Sequence, residues 1–529
     1  MLKKLSTLTL AALLTFPGLG AAGESGVSKA ELEQKIEELS RQLDELKAQV
    51  AQQQEVVKEH SETIENLDER SESWDLASRF ELTGDFRSRF DSYHANNVFA
   101  AGTPLGMTGM DAATGMPVYG GVSKGDQDND TIMTNRLRLN MRVQAAENLE
   151  FKGRLAMYKA WGMQSVPTGL ADGYPIFDGN ATRTPNDSAL YVDRAYINWT
   201  NIADLPIWFS VGRRPTTDGP PAQLRMNSDE RVATPIAYMD YPFDGLTVGY
   251  GYNWGIESLG SGKFRFCYGR GFENGLQWDN DPDAFPLDDT EFAGFNWDVL
   301  NQGSRLFNLQ AFKVFNLYNY PAFQSDFVRY AAAMPQADGG YGVQQDLGEM
   351  YHVTGTYMDR IGSLNYFLAG GWSRTDPNGK GMFNDYAAMA MGQSGPNTDS
   401  ENGYSVYAGV RYDIESIGLK LGAEYNHGSQ YWVAFTPGHD DLYMSKLATR
   451  GNAYEVYLIY DLPVGEKLSR YAKAFMRLGW QYYSYDYAGG SNYNFKPYDL
   501  GSDQAALQIL GMNPVESANQ IYLTLEAYF

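Results

Sequence analysis

The sequence predicts an all-β transmembrane barrel of about sixteen antiparallel strands, preceded by an α-helical coiled coil. Three observations carry that expectation. From Arg79 onward apolar and polar side chains alternate with period two. The connections between the alternating stretches are by turns long and short. Before Arg79, apolar residues recur at helical rather than strand spacing.

The clearest strand is Ile521 to Phe529, reading I-Y-L-T-L-E-A-Y-F. Ile521, Leu523, Leu525, Ala527 and Phe529 fall on one face, and Tyr522, Thr524, Glu526 and Tyr528 on the other. Its length matches the roughly 9–11 residues of a tilted strand crossing a bilayer. The closing aromatic residue resembles the last-strand signal of outer-membrane barrels. Taken alone, this stretch also suits the last strand of a soluble all-β domain; the rest of the chain decides against that.

Composition agrees. The 529 residues include 37 Tyr, 26 Phe, 10 Trp and 55 Gly, with a mean hydropathy of −0.42. A barrel hides its membrane signal in alternation, so a hydrophilic average is expected. Beyond the amino terminus no apolar run is long enough for a membrane helix, which would need about 18 residues. The net charge of −23, from 42 Lys+Arg against 65 Asp+Glu, argues against nucleic acid as a partner. Cys267 is the only cysteine, so an intrachain disulfide, a Cys-based metal site and C-x-x-C-H haem attachment are all excluded.

Residues 1–22 read as a secretory signal peptide. Lys3 and Lys4 are followed by an apolar stretch from Leu5 to Phe16 and by small residues at Gly20, Ala21 and Ala22. Residues 23–73 form the expected coiled coil. Ser28 and Glu31 make a capping box. Leu32, Ile36, Leu39, Leu43, Leu46 and Val50 then recur at alternating spacings of four and three. The register continues through Gln53, Val57, His60, Ile64 and Leu67, about five heptads in all. Such a seam needs copies of itself or a partner; an amino-terminal coiled coil before a sixteen-strand barrel resembles several trimeric porins, and that resemblance implies a homotrimer. The alternating loops place this segment in the periplasm.

Residues 74–529 are the expected barrel. Strands fall near 79–91, 132–145, 150–159, 189–199, 207–213, 245–253, 263–270 and 291–299, then 305–315, 350–358, 364–372, 404–412, 419–427, 452–460, 472–482 and 520–529. The first connection, 92–131, is long and rich in Gly, Asn and Asp, the second is tight, and the alternation continues to the end. Long extracellular loops alternating with short periplasmic turns is the layout of an outer-membrane barrel.

The polar alternates should line the lumen. Early strands offer Arg87, Arg89, Arg136, Arg138, Arg142 and Arg154, among Glu81 and Asp85. Later strands offer Arg411, Lys420, Glu424, Glu455 and Arg477. A basic sector would favour anionic or zwitterionic solutes in a water-filled pore; the competing reading is a set of lumen salt bridges that brace a closed barrel. Val211 to Asn227, V-G-R-R-P-T-T-D-G-P-P-A-Q-L-R-M-N, is a stiff loop carrying Arg213, Arg214 and Arg225. It suits a constriction loop whose guanidiniums receive carboxylate or phosphate, or a surface loop closed by its own Arg–Asp pairs. The acidic stretch Asp279–Glu291 matches no EF-hand spacing and reads as solvated. Enzyme signatures are missing: the five His include His427 and His439, but no Ser nucleophile pairs with them by spacing. No plug domain precedes the first strand. No metal, cofactor or catalytic residue is expected.

Several stretches resemble a little-characterised family of Gram-negative outer-membrane barrel proteins of unknown function, some of them described as porins. These are G-R-L-A-M-Y-K-A-W-G (Gly153–Gly162), D-R-A-Y-I-N-W-T (Asp193–Thr200) and V-G-R-R-P-T-T-D-G-P-P (Val211–Pro221), with E-Y-N-H-G-S-Q-Y-W (Glu424–Trp432) and S-K-L-A-T-R-G (Ser445–Gly451). The resemblance implies an outer-membrane location in contact with lipid and lipopolysaccharide, and supplies no ligand or catalytic residue. The expected function is passive diffusion of small hydrophilic, anionic solutes. Alternatives are a structural envelope tether, or a sheath around a partner such as a multihaem cytochrome.

Overall fold

A computed structural model describes residues 30, 33–51, 55, 57, 58, 78–162, 180–185, 187–214, 218–228, 239–275, 287–319, 345–436, 438, 440–442, 445–464 and 472–529. The signal peptide, the capping box at Ser28 and the seam positions Gln53, His60, Ile64 and Leu67 lie outside them. The chain divides into two compact units, Met1–Ser78 and Arg79–Phe529.

In the first unit residues 33–51 are helical. The seam residues Ile36, Leu39, Leu43, Leu46 and Val50 are all exposed along it. Charged side chains occupy the other face, where Arg41 approaches Glu45 at 4.0 Å and Lys47 approaches Asp44 at 3.6 Å.

The second unit is built from β1 (Phe80–Asn97), β2 (Pro104–Met110), β3 (Pro117–Val122), β4 (Gln127–Ala146), β5 (Leu149–Ala160) and β6 (Tyr191–Trp199). There follow β7 (Ile207–Arg214), β8 (Phe243–Asn253), β9 (Ser261–Phe272), β10 (Thr290–Gln302), β11 (Arg305–Tyr318) and β12 (Asp346–Ile361). The last are β13 (Leu364–Pro377), β14 (Asn402–Ile414), β15 (Leu419–Gly428), β16 (Gly451–Asp461), β17 (Lys473–Tyr485) and β18 (Val515–Tyr528). Sixteen of these, β1 and β4 to β18, close into one antiparallel barrel in sequence order. No described helix is long and apolar enough to cross a membrane.

β1 closes the ring by pairing with β18 on one side and β4 on the other, so Arg87 lies opposite both Glu526 and Arg136. Alternation decides which face each residue takes. In β18 Ile521, Leu523 and Leu525 are exposed on the outer wall, while Tyr522, Thr524 and Glu526 are buried inside. In β1 Leu82, Phe86 and Phe90 face out, while Asp85, Arg87, Arg89 and Asp91 face in. At the short-turn end glycine makes tight reversals possible: Gly303 between β10 and β11, and Gly362 between β12 and β13, take φ of 55° and 57°.

One connection differs from the sequence expectation. Residues 92–131, expected as an irregular loop, contain the β2–β3 hairpin. Its turn is held by Asp111, whose Oδ1 accepts from the Ala113 and Thr114 amides at 3.1 and 2.8 Å, with Gly115 at φ 66°. Two strands of seven and six residues containing four glycines carry too weak an alternation to be recognised.

Candidate functional site: the barrel lumen

Among the described residues two connections from the long-loop end cross the lumen, and Arg183 of the connection between β5 and β6 joins them there. The first follows β7 and includes residues 218–228, of which 218–227 are all buried. Its backbone winds in consecutive turns: Ala222 N donates to Gly219 O at 3.0 Å, Leu224 N to Pro221 O at 3.1 Å and Met226 N to Ala222 O at 2.9 Å. Four successive carbonyls are then taken by side chains of the far wall. Leu224 O accepts from Arg411 of β14 (2.6 Å), Arg225 O from Arg477 of β17 (2.7 Å), Met226 O from Tyr528 of β18 (2.7 Å) and Asn227 O from Lys473 of β17 (2.9 Å). Asn227 also receives Lys420 at 2.5 Å and donates to Asp461 at 2.7 Å.

The second inserted connection, between β15 and β16, meets the first. Asp240 N donates to Phe435 O at 2.7 Å, next to a parallel bridge between Met239 and Phe435. Arg225 reaches Asp441 at 2.7 Å and Glu455 at 2.9 Å. Lys446 is held between Glu424 and Glu455.

Two aspartates are the hubs of this arrangement. Asp218 faces Arg154 at 2.7 Å, Arg138 at 2.8 Å, Arg194 at 3.3 Å and Arg183 at 3.4 Å. Asp440 faces Arg87, Arg136 at 2.6 Å and Arg477 at 3.3 Å, and its carbonyl accepts from Arg89 at 2.9 Å. Both hubs adopt the left-handed backbone, φ 61° and 65°, a region in which Asp is among the better-tolerated residues. Burial pushes the Asp218 carboxyl up, but its four guanidiniums reverse this and hold it well below the usual carboxylate range. The same balance, with Arg87, Arg136 and Arg477 as the cations, keeps Asp440 ionised. Asp240 is the opposite case, pushed up to about 6 by burial, with Arg183 opposing and Asp218 adding to the rise.

Among the described residues the network balances. Its cations are Arg87, Arg89, Arg136, Arg138, Arg154, Arg183, Arg194, Arg225, Lys446 and Arg477, ten in all. Its carboxylates are Asp85, Asp91, Asp193, Asp218, Asp240, Asp440, Asp441, Glu424, Glu455 and Glu526, also ten. Buried charge is tolerated when it is paired in this way. On the other side the inserted segments pack by apolar contact: Leu224, Trp432, Leu447 and Ala448 lie against Leu306, Met358, Phe367 and Tyr407.

Of the residues singled out in the sequence, Arg87, Arg89, Arg136, Arg138, Arg154 and Arg225 all belong to this buried network. Arg142 is half exposed and pairs with Glu150 at 2.9 Å and Glu81 at 3.5 Å. Arg213 and Arg214 still belong to β7 rather than to the inserted segment. Arg213 pairs with the exposed Asp244 at 3.3 Å; Arg214 lies over the Tyr196 ring at 5.6 Å. Sequence reasoning missed Asp218, Arg183, Asp240, Asp440, Asp441 and Lys446, whose partners are set by tertiary folding. They lie in three different connections, and no local pattern marked them. His439 lies outside the described residues, and His427 contacts Asn452 at 3.1 Å. In the acidic stretch, Asp289 and Glu291 hold Arg270 at 3.1 and 2.7 Å. Among the described residues no group of three or more His, Cys, Asp or Glu is placed to hold a metal ion.

No curated protein matches the chain. The fold is similar to OmpT, an outer membrane protein of Vibrio cholerae, in its trimer form (13% identity, TM-score 0.36, 85% of this chain and 99% of that one). It is also similar to an anion-selective porin from Comamonas acidovorans (11%, 0.40, 85% and 99%) and to OprB of Pseudomonas putida (11%, 0.41, 87% and 96%). Residues 126–529 match the family described as a protein of unknown function (DUF3373), and the chain belongs to that family.

Proposed function

We propose that this DUF3373 barrel is an outer-membrane channel for passive diffusion of small hydrophilic, predominantly anionic solutes. One observation carries the reading: a closed sixteen-strand wall with an apolar exterior surrounds a lumen lined by charged and polar side chains. Barrels of this size have interiors wide enough for an aqueous channel, here narrowed by the two inserted segments. The arginines Arg87, Arg89, Arg136, Arg138, Arg154 and Arg225 set that narrowing by anchoring Asp218, Asp440 and Asp441. Arg142, half exposed, contributes to the positive field, while Arg213 and Arg214 stand at the end of β7 where the inserted segment begins. Diffusion requires no bond to be made or broken, so no residue has a catalytic role.

The outer wall contacts lipid and lipopolysaccharide, the amino-terminal helix lies in the periplasm, and its seam joins three copies. A sheath around a cytochrome is disfavoured, because the inserted segments occupy the space such a partner needs. An envelope tether is the second reading, favoured by the depth and neutrality of the ion-pair network, which suits a braced wall.

Single-channel recording in planar bilayers, with reversal potentials in a salt gradient, separates the two. Stepwise openings with anion preference support the channel. A folded, inserted protein that never conducts overturns it and leaves the tether.

A further inference from the structure

The middle of the outer wall is apolar around most of the ring. Val248, Phe266, Phe295, Val353, Leu368 and Val410 are exposed there on β8, β9, β10, β12, β13 and β14. β1 and β4 break this pattern. On their outward faces Ser88 stands between Phe86 and Phe90, and Asn135 between Met133 and Leu137. The two are opposite in register, and Ser88 Oγ donates to Asn135 Oδ1 at 2.8 Å. Leu525 of β18 continues the row on one side and Lys159 of β5 on the other. A hydroxyl, an amide and an ammonium are therefore neighbours on a face that elsewhere carries apolar side chains.

Hydrocarbon offers no hydrogen-bond partner, so a polar group facing it keeps its desolvation cost. The bond to Ser88 uses the carbonyl oxygen of Asn135, and the two amide hydrogens of Asn135 have no partner among the described residues. A protein surface supplies acceptors where lipid does not. The connection between these same two strands is the β2–β3 hairpin, a separate two-stranded sheet. Asp111 is the one charged residue from Pro104 to Val122, and Met110, Met116, Val118 and Val122 are all exposed. Such an apolar ribbon has an unpaired edge on each side and calls for cover. Along the chain, β1 follows the expected seam, with only the short stretch between Leu67 and Arg79 intervening. Copies joined by that seam hold their β1 strands at high effective concentration.

We propose that the outer wall of β1 and β4, together with the hairpin that joins them, is where one copy of this chain meets the next. Asn135 hydrogen-bonds across the contact, and the methionines and valines of the hairpin pack on the neighbouring copy. The inference rests on the reading that the seam joins three copies, and it adds a contact in the barrel wall that the seam brings together.

Photocrosslinking of the full-length protein in intact cells tests this. The photoreactive residue p-benzoylphenylalanine replaces Phe90, Met116 or, as the control on β10, Phe295, and adducts are identified by mass spectrometry of their peptides. Phe90 and Met116 are expected to give a product of twice the chain's mass containing this sequence alone, in yields several-fold above Phe295. Asn135→Leu suits the apolar wall and leaves the barrel folded, and is expected to lower the Phe90 product several-fold. Adducts to lipopolysaccharide alone, adducts to a different protein, or equal yields from Phe295 overturn the face. An unchanged yield in Asn135→Leu does the same. Native mass spectrometry of the same preparations keeps the two readings apart. Trimers without own-chain product at Phe90 or Met116 refute the face and keep the seam. Own-chain product from a protein that forms no trimer refutes the three-copy seam and keeps the face.

Discussion

Arg225, on the connection after β7, donates to Asp441, on the connection after β15, at 2.7 Å, with both side chains buried. The contact joins two segments more than two hundred residues apart in the chain and fixes both within the barrel. It makes the narrowing of the lumen a property of paired charges rather than of loop length.

Asp440 is the most exacting point in that arrangement, since three guanidiniums share its carboxylate. Asp440→Asn keeps the shape and removes the charge, leaving Arg87, Arg136 and Arg477 short of a counter-ion. Breaking a buried pair from one side costs about 3–5 kcal/mol, so the urea midpoint should fall. Release of the segment should also raise single-channel conductance. Unchanged midpoint and conductance together would show that Asp440 anchors nothing.

The alternation that marks out each strand also explains what could be read from the sequence and what could not. Ile521, Leu523 and Leu525 announce a lipid-facing row from local pattern alone, and all sixteen barrel strands were recognisable in this way. The proline-rich stretch after β7 was recognisable as stiff and arginine-bearing. Its destination was not, because Leu224 to Asn227 are received by Arg411, Lys473, Arg477 and Tyr528, residues fixed by barrel closure. The same is true of Arg87, which could be read as a pore charge or as one half of a lumen salt bridge, but whose partner Asp440 is 353 residues away.

Acidity should act on the network through carboxylates of opposite behaviour. The folded carboxyl of Asp240 titrates near 6, above its ordinary value of 3.8, because burial outweighs Arg183. Its contribution is favourable below pH 3.8 and is lost as pH rises through about 6. Asp218 and Asp440 are held low instead, so their contribution is present above the ordinary value and lost as pH falls below it. Asp240→Asn should therefore gain thermal stability relative to the native protein as pH is raised from 4 to 7. A stability difference that is flat across this range, measured by scanning calorimetry, would contradict the raised Asp240.

The wall should respond to charge on one face far more than on the other. Phe295 is exposed near the middle of β10 and stacks on Phe264 at 5.4 Å. Phe295→Arg places a cation in the lipid, costing about 2–4 kcal/mol at the bilayer midplane. A folding titration into lipid vesicles should register that loss. Equal stability of the variant would mean that this row does not face hydrocarbon.

The amino-terminal helix presents Leu39, Leu43 and Leu46 on one exposed stripe, a seam that water disfavours at roughly 25 cal/mol per Å² of apolar surface. Self-association is the simplest way to cover it, and the proposed assembly is a trimer. Leu39→Asp combined with Leu46→Asp puts carboxylates into the seam of every copy, where like charges repel. Native mass spectrometry of the detergent-solubilised protein should then give monomers in place of trimers, with the barrel still folded by circular dichroism. If the channel reading holds, each monomer should conduct as one unit of the trimer did. Trimers that survive both substitutions would assign assembly to the barrel wall, and monomers before substitution would leave the seam to another partner.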